Sequence, residues 1–303
     1  MTDHSLRLCE NMRTVVYAPF YFALCGGYLT RAGLDIALIT SPDPSRTGHM
    51  LLDDAADVSW GGPMRVLQHH QTDAMCGLVC FAQVVARDPF LLIGRQPNSE
   101  FAFRDLRHCR LAVATDVPTP WLTLQDDLAR AGIDPSSIRS QPDRPMPGNV
   151  AAFLHDDVDV VQVLEPWADL LVQSGQAHVW HRFSVRGDIG YTTFYATRRF
   201  IDSNRMACVR LVTGLAAAQA DFHAASPAAI ASAIAGFLDN LDVAAIARIV
   251  EAYREAGLWA QTPHFPVAAF LRLKAALISG GLLQRDISYD HVVDAALSSN
   301  HPH

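Results

Sequence analysis

Short apolar runs of strand length alternate with segments of helical periodicity along the first two thirds of the chain. This alternation predicts an α/β protein with largely parallel sheets, because parallel strands need a crossover, usually a helix, between them. The predicted strands are Leu6–Glu10, Ile36–Ile39, Ala56–Trp60, Arg110–Ala114 and Val158–Val163. The predicted helices are Phe20–Arg31, Thr47–Asp53, Met64–His70 and Trp121–Ala131, with a further one beginning near Glu165–Pro166.

The chain is expected to cross between two lobes twice. Apolar runs flank the middle of Ala82–Gly94, and strand-like segments flank the glycine-containing stretch Ser184–Tyr191. From Ser203 onwards the pattern becomes nearly all helical and rich in alanine, so a helical C-terminal region is expected. Two crossings imply a first lobe built from both ends of the chain. The predicted lobes are residues 1–87 plus 188–303, and residues 88–187.

Composition narrows the function classes. The chain has 303 residues, half of them hydrophobic, which is enough to bury a large core. Charged residues make up 18% and the formal net charge is -7, so neither a basic nucleic-acid surface nor a disordered polyelectrolyte is indicated. We therefore expect a folded protein without a nucleic-acid partner.

No uncharged run is long enough to span a bilayer, so no membrane span is predicted. Val15–Cys25 resembles a signal-peptide core, but Pro19 and two tyrosines interrupt it and the preceding residues lack a positive bias. The N-terminus is therefore interpreted as part of the fold. The expected location is cytoplasmic for the sequence as it stands, and periplasmic if the true start lies upstream.

Residue counts also limit the cofactor chemistry. Only one of the 24 basic residues is a lysine, Lys274, so a Schiff base to pyridoxal phosphate would have to form there. The six cysteines are spread through the chain and are predicted to be free thiols. The histidines lack cysteine or carboxylate partners at metal-ligand spacing, and no glycine-rich phosphate loop or nucleophile elbow is present. We expect no cofactor and no metal.

Candidate binding residues lie in the loops that follow predicted strands, where open α/β sheets bind ligands. Asn11–Arg13 and Tyr17 follow the first strand, and Trp60–Pro63 follows the third. Thr115–Trp121 follows a second-lobe strand and leads into a helix, whose free N–H groups favour an anion. The aromatic side chains suit a planar ligand, although aromatic residues at strand ends are equally typical of a core.

Several short segments follow the pattern of one known family, the SsuA/THI5-like (NMT1-like) family of periplasmic-binding-protein folds. The resemblance covers about residues 5–220 and is carried by motifs that mark the fold more than the ligand. The matching segments are Gly27–Leu29 and Gly33–Ile36 within Ala18–Leu38, then Ala55–Trp60, Asp105–Leu106, Arg110–Val113, Val158–Val161 and Glu165–Trp167.

The resemblance implies a two-lobed periplasmic-binding-protein-like fold, each lobe a mostly parallel sheet flanked by helices, that closes on a small molecule. The family includes substrate-binding proteins for sulfonates, pyrimidines or flavins, and pyrimidine-precursor synthases that use a lysine-bound pyridoxal phosphate, a histidine and a cysteine cluster. The corresponding segments here, Val58–Arg65 and Gly190–Tyr195, contain no lysine, histidine or cysteine, which argues against that synthase activity.

The leading hypothesis is a small-molecule binding protein resembling the substrate-binding component of an ABC-type importer, for an anionic or planar heteroaromatic ligand or organic acid. An ABC transporter permease is the expected partner if the chain is exported. The alternative is a cytosolic enzyme on the same fold, a lyase of the decarboxylase or desulfinase type, with unknown catalytic residues. The predicted ligand contacts in the cleft between the lobes are Asn11, Arg13, Tyr17, Trp60, Gly61, Gly62, Thr119, Trp121, Asn149, Glu165 and Tyr191.

Overall fold

The computed structural model describes residues 5–114, 117–141 and 144–299. Its strands and helices alternate in the first two thirds of the chain, and helices dominate after Thr197. The strands are β1 (Leu6–Glu10), β2 (Ile36–Thr40), β3 (Val58–Gly61), β4 (Leu78–Val85), β5 (Leu91–Gly94), β6 (Arg110–Ala112), β7 (Arg139–Gln141), β8 (Val160–Val163), β9 (His178–Arg182) and β10 (Thr192–Thr197).

Most of the helices pack on these strands. Short 3-10 segments join several of them, among them Val15–Tyr17, Pro44–Arg46 and Phe183–Arg186. The α-helices are α1 (Ala18–Cys25), α2 (Tyr28–Arg31), α3 (Thr47–Leu52), α4 (Pro63–Thr72), α5 (Thr119–Arg130), α6 (Met146–Leu154), α7 (Trp167–Gln173), α8 (Arg198–Ser203), α9 (Arg205–Ala224), α10 (Pro227–Ile234), α11 (Val243–Glu255), α12 (Val267–Ser279) and α13 (Tyr289–Val292).

Two five-stranded sheets organise the molecule. The first has the order β2-β1-β3-β10-β4, and the second has the order β7-β6-β8-β5-β9. In each sheet the pairs on one side are parallel, and one strand, β10 or β5, runs antiparallel to both of its neighbours. Four of the five strands of each sheet therefore point the same way, which confirms the expected α/β class with mostly parallel sheets.

The first sheet draws strands from both ends of the chain, because β10 inserts between β3 and β4. The chain leaves this sheet between Val85 and Leu91 and returns to it between Arg182 and Thr192. The proposed lobe limits, 1–87 plus 188–303 and 88–187, stay a prediction.

A continuous apolar core fills the space between the sheets and their helices. At its centre the indole of Trp60 is fully buried and stacks on Phe20, with 4.4 Å between the ring centroids. Phe194 of β10 meets the same phenyl ring edge-on at 4.9 Å. These rings join α1 to the first sheet, and their burial contributes much of its stability.

The predicted helix Phe20–Arg31 is divided into α1 and α2. Gly27 between them has a φ of +68°, a left-handed conformation that interrupts a helix and that glycine adopts without strain. Strand β1 has the predicted limits, and the C-terminal region is helical as expected. All six cysteines are free thiols, which confirms that expectation. Within the described residues, no helix is long and apolar enough to cross a bilayer.

Candidate ligand-binding cleft

A cavity lies between the two sheets, at the carboxyl ends of several parallel strands. Its empty volume is about 480 Å³ including open solvent, of which about 40 Å³ is space that the centre of a water-sized molecule can occupy. This is the position at which open α/β sheets bind ligands, because strand-end loops and helix N-termini converge there. The residues that line it are Asn11, Met12, Thr14, Val16, Tyr17, Gly62, Met64, Arg65, Pro89, Phe90, Val117, Thr119, Leu164 and Tyr191.

Five predicted contacts, Asn11, Tyr17, Gly62, Thr119 and Tyr191, line this cavity. Asn11 and Tyr17 are joined by a hydrogen bond just after β1. The Asn11 Oδ1 atom accepts the backbone N–H of Met12 at 2.8 Å, so its Nδ2 faces the Tyr17 hydroxyl and donates to it at 2.9 Å. A phenol that already accepts one hydrogen bond keeps its own proton to donate. Tyr17 is therefore available as a donor at the cavity wall.

Tyr191 supplies a second phenol from the segment just before β10. Its hydroxyl is buried and has no hydrogen-bond partner within the described residues. Burial raises the pKa of Tyr191 well above its usual value, so the group stays a neutral donor. An unpaired buried hydroxyl costs about 1–3 kcal/mol, a penalty that a ligand acceptor would remove.

Arg65, which the sequence analysis did not select, supplies the positive charge of the cavity. It lies in the first turn of α4, three residues after Gly62, and only 8% of the residue is exposed. Within the described residues its side chain makes no hydrogen bond or ion pair. Its guanidinium also lines a groove that is open to solvent, so water contacts it until an anionic ligand takes that place. Extending the strand-end argument into the first turn of the following helix would have found this residue.

Arg13 lies outside the lining, in a separate pocket beside Phe237. Its Nε donates to the Glu10 Oε1 atom at 2.8 Å, and Glu10 is fully buried. Thr40 and Tyr21 also donate to this carboxylate, at 2.5 and 3.3 Å. The charge of Arg13 is thus already neutralised by Glu10. Its predicted role with an anionic group stays a prediction, and Arg65 is the better placed cation.

Trp60, Gly61, Trp121 and Asn149 are also absent from the lining. Trp60 is buried in the core, and a Cβ on Gly61 would come within 3.5 Å of the Asn11 amide, so both support the lining from behind. Trp121 is half-buried in the first turn of α5 and packs on the core. Asn149 donates to the Val113 carbonyl at 2.8 Å, while its Oδ1 is buried without a partner among the described residues. Their direct contact with a ligand stays a prediction.

Glu165 lies next to the cavity residue Leu164, at a cis peptide bond to Pro166. Its backbone N–H donates to Tyr253, and its carbonyl accepts from the hydroxyl of Thr14 at 3.4 Å, so it joins the two sides of the cleft. Burial raises the pKa of its carboxyl to about 7, although the N–H of Asp169 donates to it and lowers the pKa. The carboxyl itself is not part of the lining.

The described lining offers donors and a positive charge but no carboxylate, thiol or imidazole. Side-chain donors come from Tyr17, Tyr191, Thr119 and Arg65. Two helices, α4 and α5, begin at the cavity, with the lining residues Gly62 and Thr119 at their N-termini. Such a set recognises an acceptor-rich or anionic group. No group of three or more metal-ligating side chains is found in the described ranges.

Thr115, which begins the predicted binding loop before α5, falls outside the described residues, as does Asp116. The end of that loop is described and contributes Val117 and Thr119 to the cavity. That this loop contacts a ligand stays a prediction.

Comparisons with known proteins agree with this architecture. YtlA of Bacillus subtilis (strain 168), named as a candidate binding protein, is 23% identical over 295 residues, covering 97% of this chain and 88% of YtlA. The periplasmic aliphatic sulphonate binding protein SsuA from Escherichia coli has a TM-score of 0.77 at 14% identity, with 95% and 96% of the two chains covered. The desulfurization enzyme DSZB has a TM-score of 0.68 at 17% identity, with 96% and 97% covered.

Both structural likenesses show the periplasmic-binding-protein-like fold, which supports binding proteins and an enzyme alike. The family model described as NMT1/THI5 like matches residues 14–230, well over half of the chain. That match includes four of the five predicted residues that line the cavity, namely Tyr17, Gly62, Thr119 and Tyr191. The chain belongs to the NMT1/THI5-like family.

Proposed function

We propose that this protein is a substrate-binding protein of the ABC-importer type, and that a small anionic molecule binds in the cleft between its lobes. The carrying observation is the guanidinium of Arg65, which makes no hydrogen bond or ion pair within the described residues and faces a cavity rich in donors. In an exported chain, the location would be periplasmic and an ABC-type permease would be the partner. SsuA and YtlA supply the analogy for this role.

The ligand's acceptor group is proposed to receive hydrogen bonds from Tyr17, Tyr191 and Arg65. Pro89, Phe90 and Leu164 provide apolar walls that suit a ring or a short chain. The donors have fixed places, because Asn11 orients Tyr17 and the first turn of α4 carries Arg65. A site organised in this way loses little free energy on ordering when the ligand binds.

Closure is proposed to occur by a hinge movement about the two crossing segments. The cavity takes residues from both sides of these crossings, with Asn11 and Gly62 on one side and Thr119 and Leu164 on the other. A relative rotation of the lobes would therefore open or close the cavity. We expect ligand binding to reduce the radius of gyration measured by small-angle X-ray scattering.

The test is native mass spectrometry of the purified protein, followed by a thermal-shift screen of sulfonates, pyrimidines, flavins and aromatic acids. For any compound that binds, Arg65→Gln and Tyr191→Phe should weaken the affinity about tenfold or more, since each removes a buried hydrogen bond. Tyr28→Phe is the matched control, because its hydroxyl donates to Asp221 on the surface. An equal loss in the control, or no loss in either cleft variant, would contradict the proposed site.

A second candidate, an enzyme on the same fold, is favoured by one observation. Glu165 has its pKa raised to about 7 by burial beside the cavity, and such a group is suited to exchange a proton near neutral pH. The absence of a carboxylate, thiol or imidazole from the described lining favours the binding protein. Conversion of a bound compound, followed by mass spectrometry and abolished in Glu165→Gln, would establish the enzyme instead.

A further inference from the structure

A solvent-open groove lies beside the cavity described above, called the chamber from here on, and shares Arg65 with it. Its empty volume is about 1060 Å³, roughly twice that of the chamber. Its walls come from the turn before α3, from α3, from α4 and from the residue before α5. The wall residues used below are Arg46, His49, Arg65, Gln68, His69 and Pro118.

Five polar side chains of this groove have no hydrogen-bond or ion-pair partner within the described residues. In the described part of the chain, Arg46, His49, Arg65, Gln68 and His69 make no side-chain hydrogen bond or ion pair. None of the lining residues carries a carboxylate. One carboxylate, Asp43, is near; hydrogen bonds from Ser45 lower its pKa, and the two arginines lower it further. The groove therefore keeps an excess of positive charge and of unused donors.

Two imidazoles, those of His49 and His69, line the groove. The rings of His49 and His69 lie edge to face with 4.8 Å between their centroids. His69 packs directly on Gly48 of α3, where a Cβ would come within 2.3 Å of the Nε2 atom. Burial lowers the pKa of His69, and the nearby His49, Arg65 and His70 lower it further. The ring is thus a neutral donor near pH 7, placed by a glycine that leaves room for it.

We propose that this groove binds the phosphate group of an organic phosphate whose remaining part occupies the chamber, with Arg65 contacting both parts. The inference deepens the proposed function and rests on it. Two guanidinium groups match the charge of a phosphate dianion, and its terminal oxygens accept several donors at once. A ligand with only a carboxylate would leave most of these donors unused.

The probe for the groove alone is inorganic phosphate, measured by calorimetry and by the ¹³Cε1 NMR signals of His49 and His69. We expect saturable shifts of these two signals and an affinity about tenfold weaker in Arg46→Gln, because one charged hydrogen bond is lost. Methanesulfonate at equal ionic strength carries a single charge and should bind more weakly. Arg107→Gln is the control. Arg107 is an exposed residue just before β6 of the second sheet, so this variant removes the same charge and should leave phosphate binding unchanged.

A second variant tests the geometry without changing the charge. Gly48→Ala forces the His69 ring away, so phosphate affinity should fall and the His69 signal should move in the free protein. Equal losses in Arg46→Gln and Arg107→Gln would overturn the groove, because they would show diffuse charge attraction only. Methanesulfonate binding as tightly as phosphate would overturn the assignment to phosphate.

The two proposals can fail separately. A compound from the screen whose affinity falls in Tyr191→Phe but not in Arg46→Gln would support the cleft and overturn the phosphate groove. Phosphate that shifts the His49 and His69 signals while no compound of a screen extended to organic phosphates binds would support the groove and contradict the proposed function.

Discussion

Arg186 lies in the second crossing segment and connects it to two carboxylates. Its side chain is 10% exposed and pairs with Asp88 in the first crossing, with 2.5 Å between the Nη1 and Oδ2 atoms, and with Asp127 on α5. The Asp88 carboxylate is fully buried and also accepts the N–H of Phe90 at 2.9 Å. Replacing Arg186 by methionine keeps most of the volume and leaves this carboxylate without its cation.

Removing one partner of a buried ion pair typically costs about 3–5 kcal/mol, since an uncompensated charge stays buried. The remaining hydrogen bonds of Asp88, from Phe90 and Thr123, place Arg186→Met at the lower end, near 3 kcal/mol. With about 2.1 cal/mol/K of unfolding entropy per residue over 303 residues, this loss lowers Tm by about 5 °C.

The loss should depend on pH in a defined direction. Burial raises the pKa of Asp88 above its ordinary 3.8, and Arg186 opposes that rise. Without the guanidinium the folded-state pKa rises further, so the folded variant takes up a proton that the unfolded chain does not hold. Stability is lost in full above the folded-state pKa and is regained as the pH falls towards 3.8. Arg186→Met should therefore lose less at pH 5 than at pH 8.

The assay is thermal unfolding followed by circular dichroism at several pH values, with urea unfolding for the free energies. Arg130→Met is the control. Arg130 lies on α5, the helix that carries Asp127, and its solvent-exposed pair with Asp126 contributes at most about 0.5 kcal/mol. Adding Asp88→Asn to Arg186→Met should recover a large part of the stability, since the buried charge is gone. Equal losses for Arg186→Met and Arg130→Met, or no recovery in the double variant, would refute the reasoning.

Three further substitutions test other parts of the structure. Trp60→Ala should lower the free energy of unfolding by about 3–5 kcal/mol in urea, because a fully buried ring that stacks on Phe20 leaves a cavity. The Glu165 carboxyl should titrate near pH 7 by ¹³C NMR. Because its folded-state pKa is raised, the fold gains stability as the pH falls from about 7 to 4.5, and Glu165→Gln should remove this gain. Gly214→Ala should destabilise by about 1–3 kcal/mol in urea, because its Cβ would lie 2.9 Å from Leu29.

Each of these has a matched control. Trp121→Ala removes a half-buried indole and should cost less than Trp60→Ala. Glu100→Gln changes an exposed carboxyl and should leave the pH dependence of stability unchanged. Gly236→Ala places its Cβ in open space, so any destabilisation similar to that of Gly214→Ala would contradict the packing argument.

Much of the order of the elements could be predicted from the sequence because short apolar runs such as those in β3 and β8 are followed by segments of helical periodicity. Strand β1 and the start of α3 agree to the residue. The insertion of β10 between β3 and β4 could not be predicted, since its apolar and threonine-rich pattern fits a strand in any position. Its antiparallel pairing is fixed by side-chain packing across the sheet, with Phe194 opposite Trp60 and Ala82.

The site was predictable as a set of loops but not as a set of side chains. Strand-end logic identifies Asn11, Tyr17 and Gly62 because backbone direction alone brings these positions to one edge of a sheet. It cannot distinguish a residue that lines the cavity from a core residue. Trp60 illustrates this limit, because it lies within β3 and its indole is fully buried in the core. Whether a side chain faces the cavity or the core depends on its χ angles and on how the neighbouring helix packs, and neither can be derived from one sequence.

The two arginines near the cleft show what a sequence leaves undecided about charge. Arg13 and Arg65 both follow a strand of the first sheet, and either could hold an anion. Three residues before Arg13 stands Glu10, and its complete burial makes Arg13 its counter-ion, so that charge is committed within the protein. Arg65 has no such partner in the described ranges and lies where the chamber meets the basic groove. Since an anionic ligand gains charged hydrogen bonds from Arg65, ligand binding should raise Tm of the native protein more than that of Arg65→Gln.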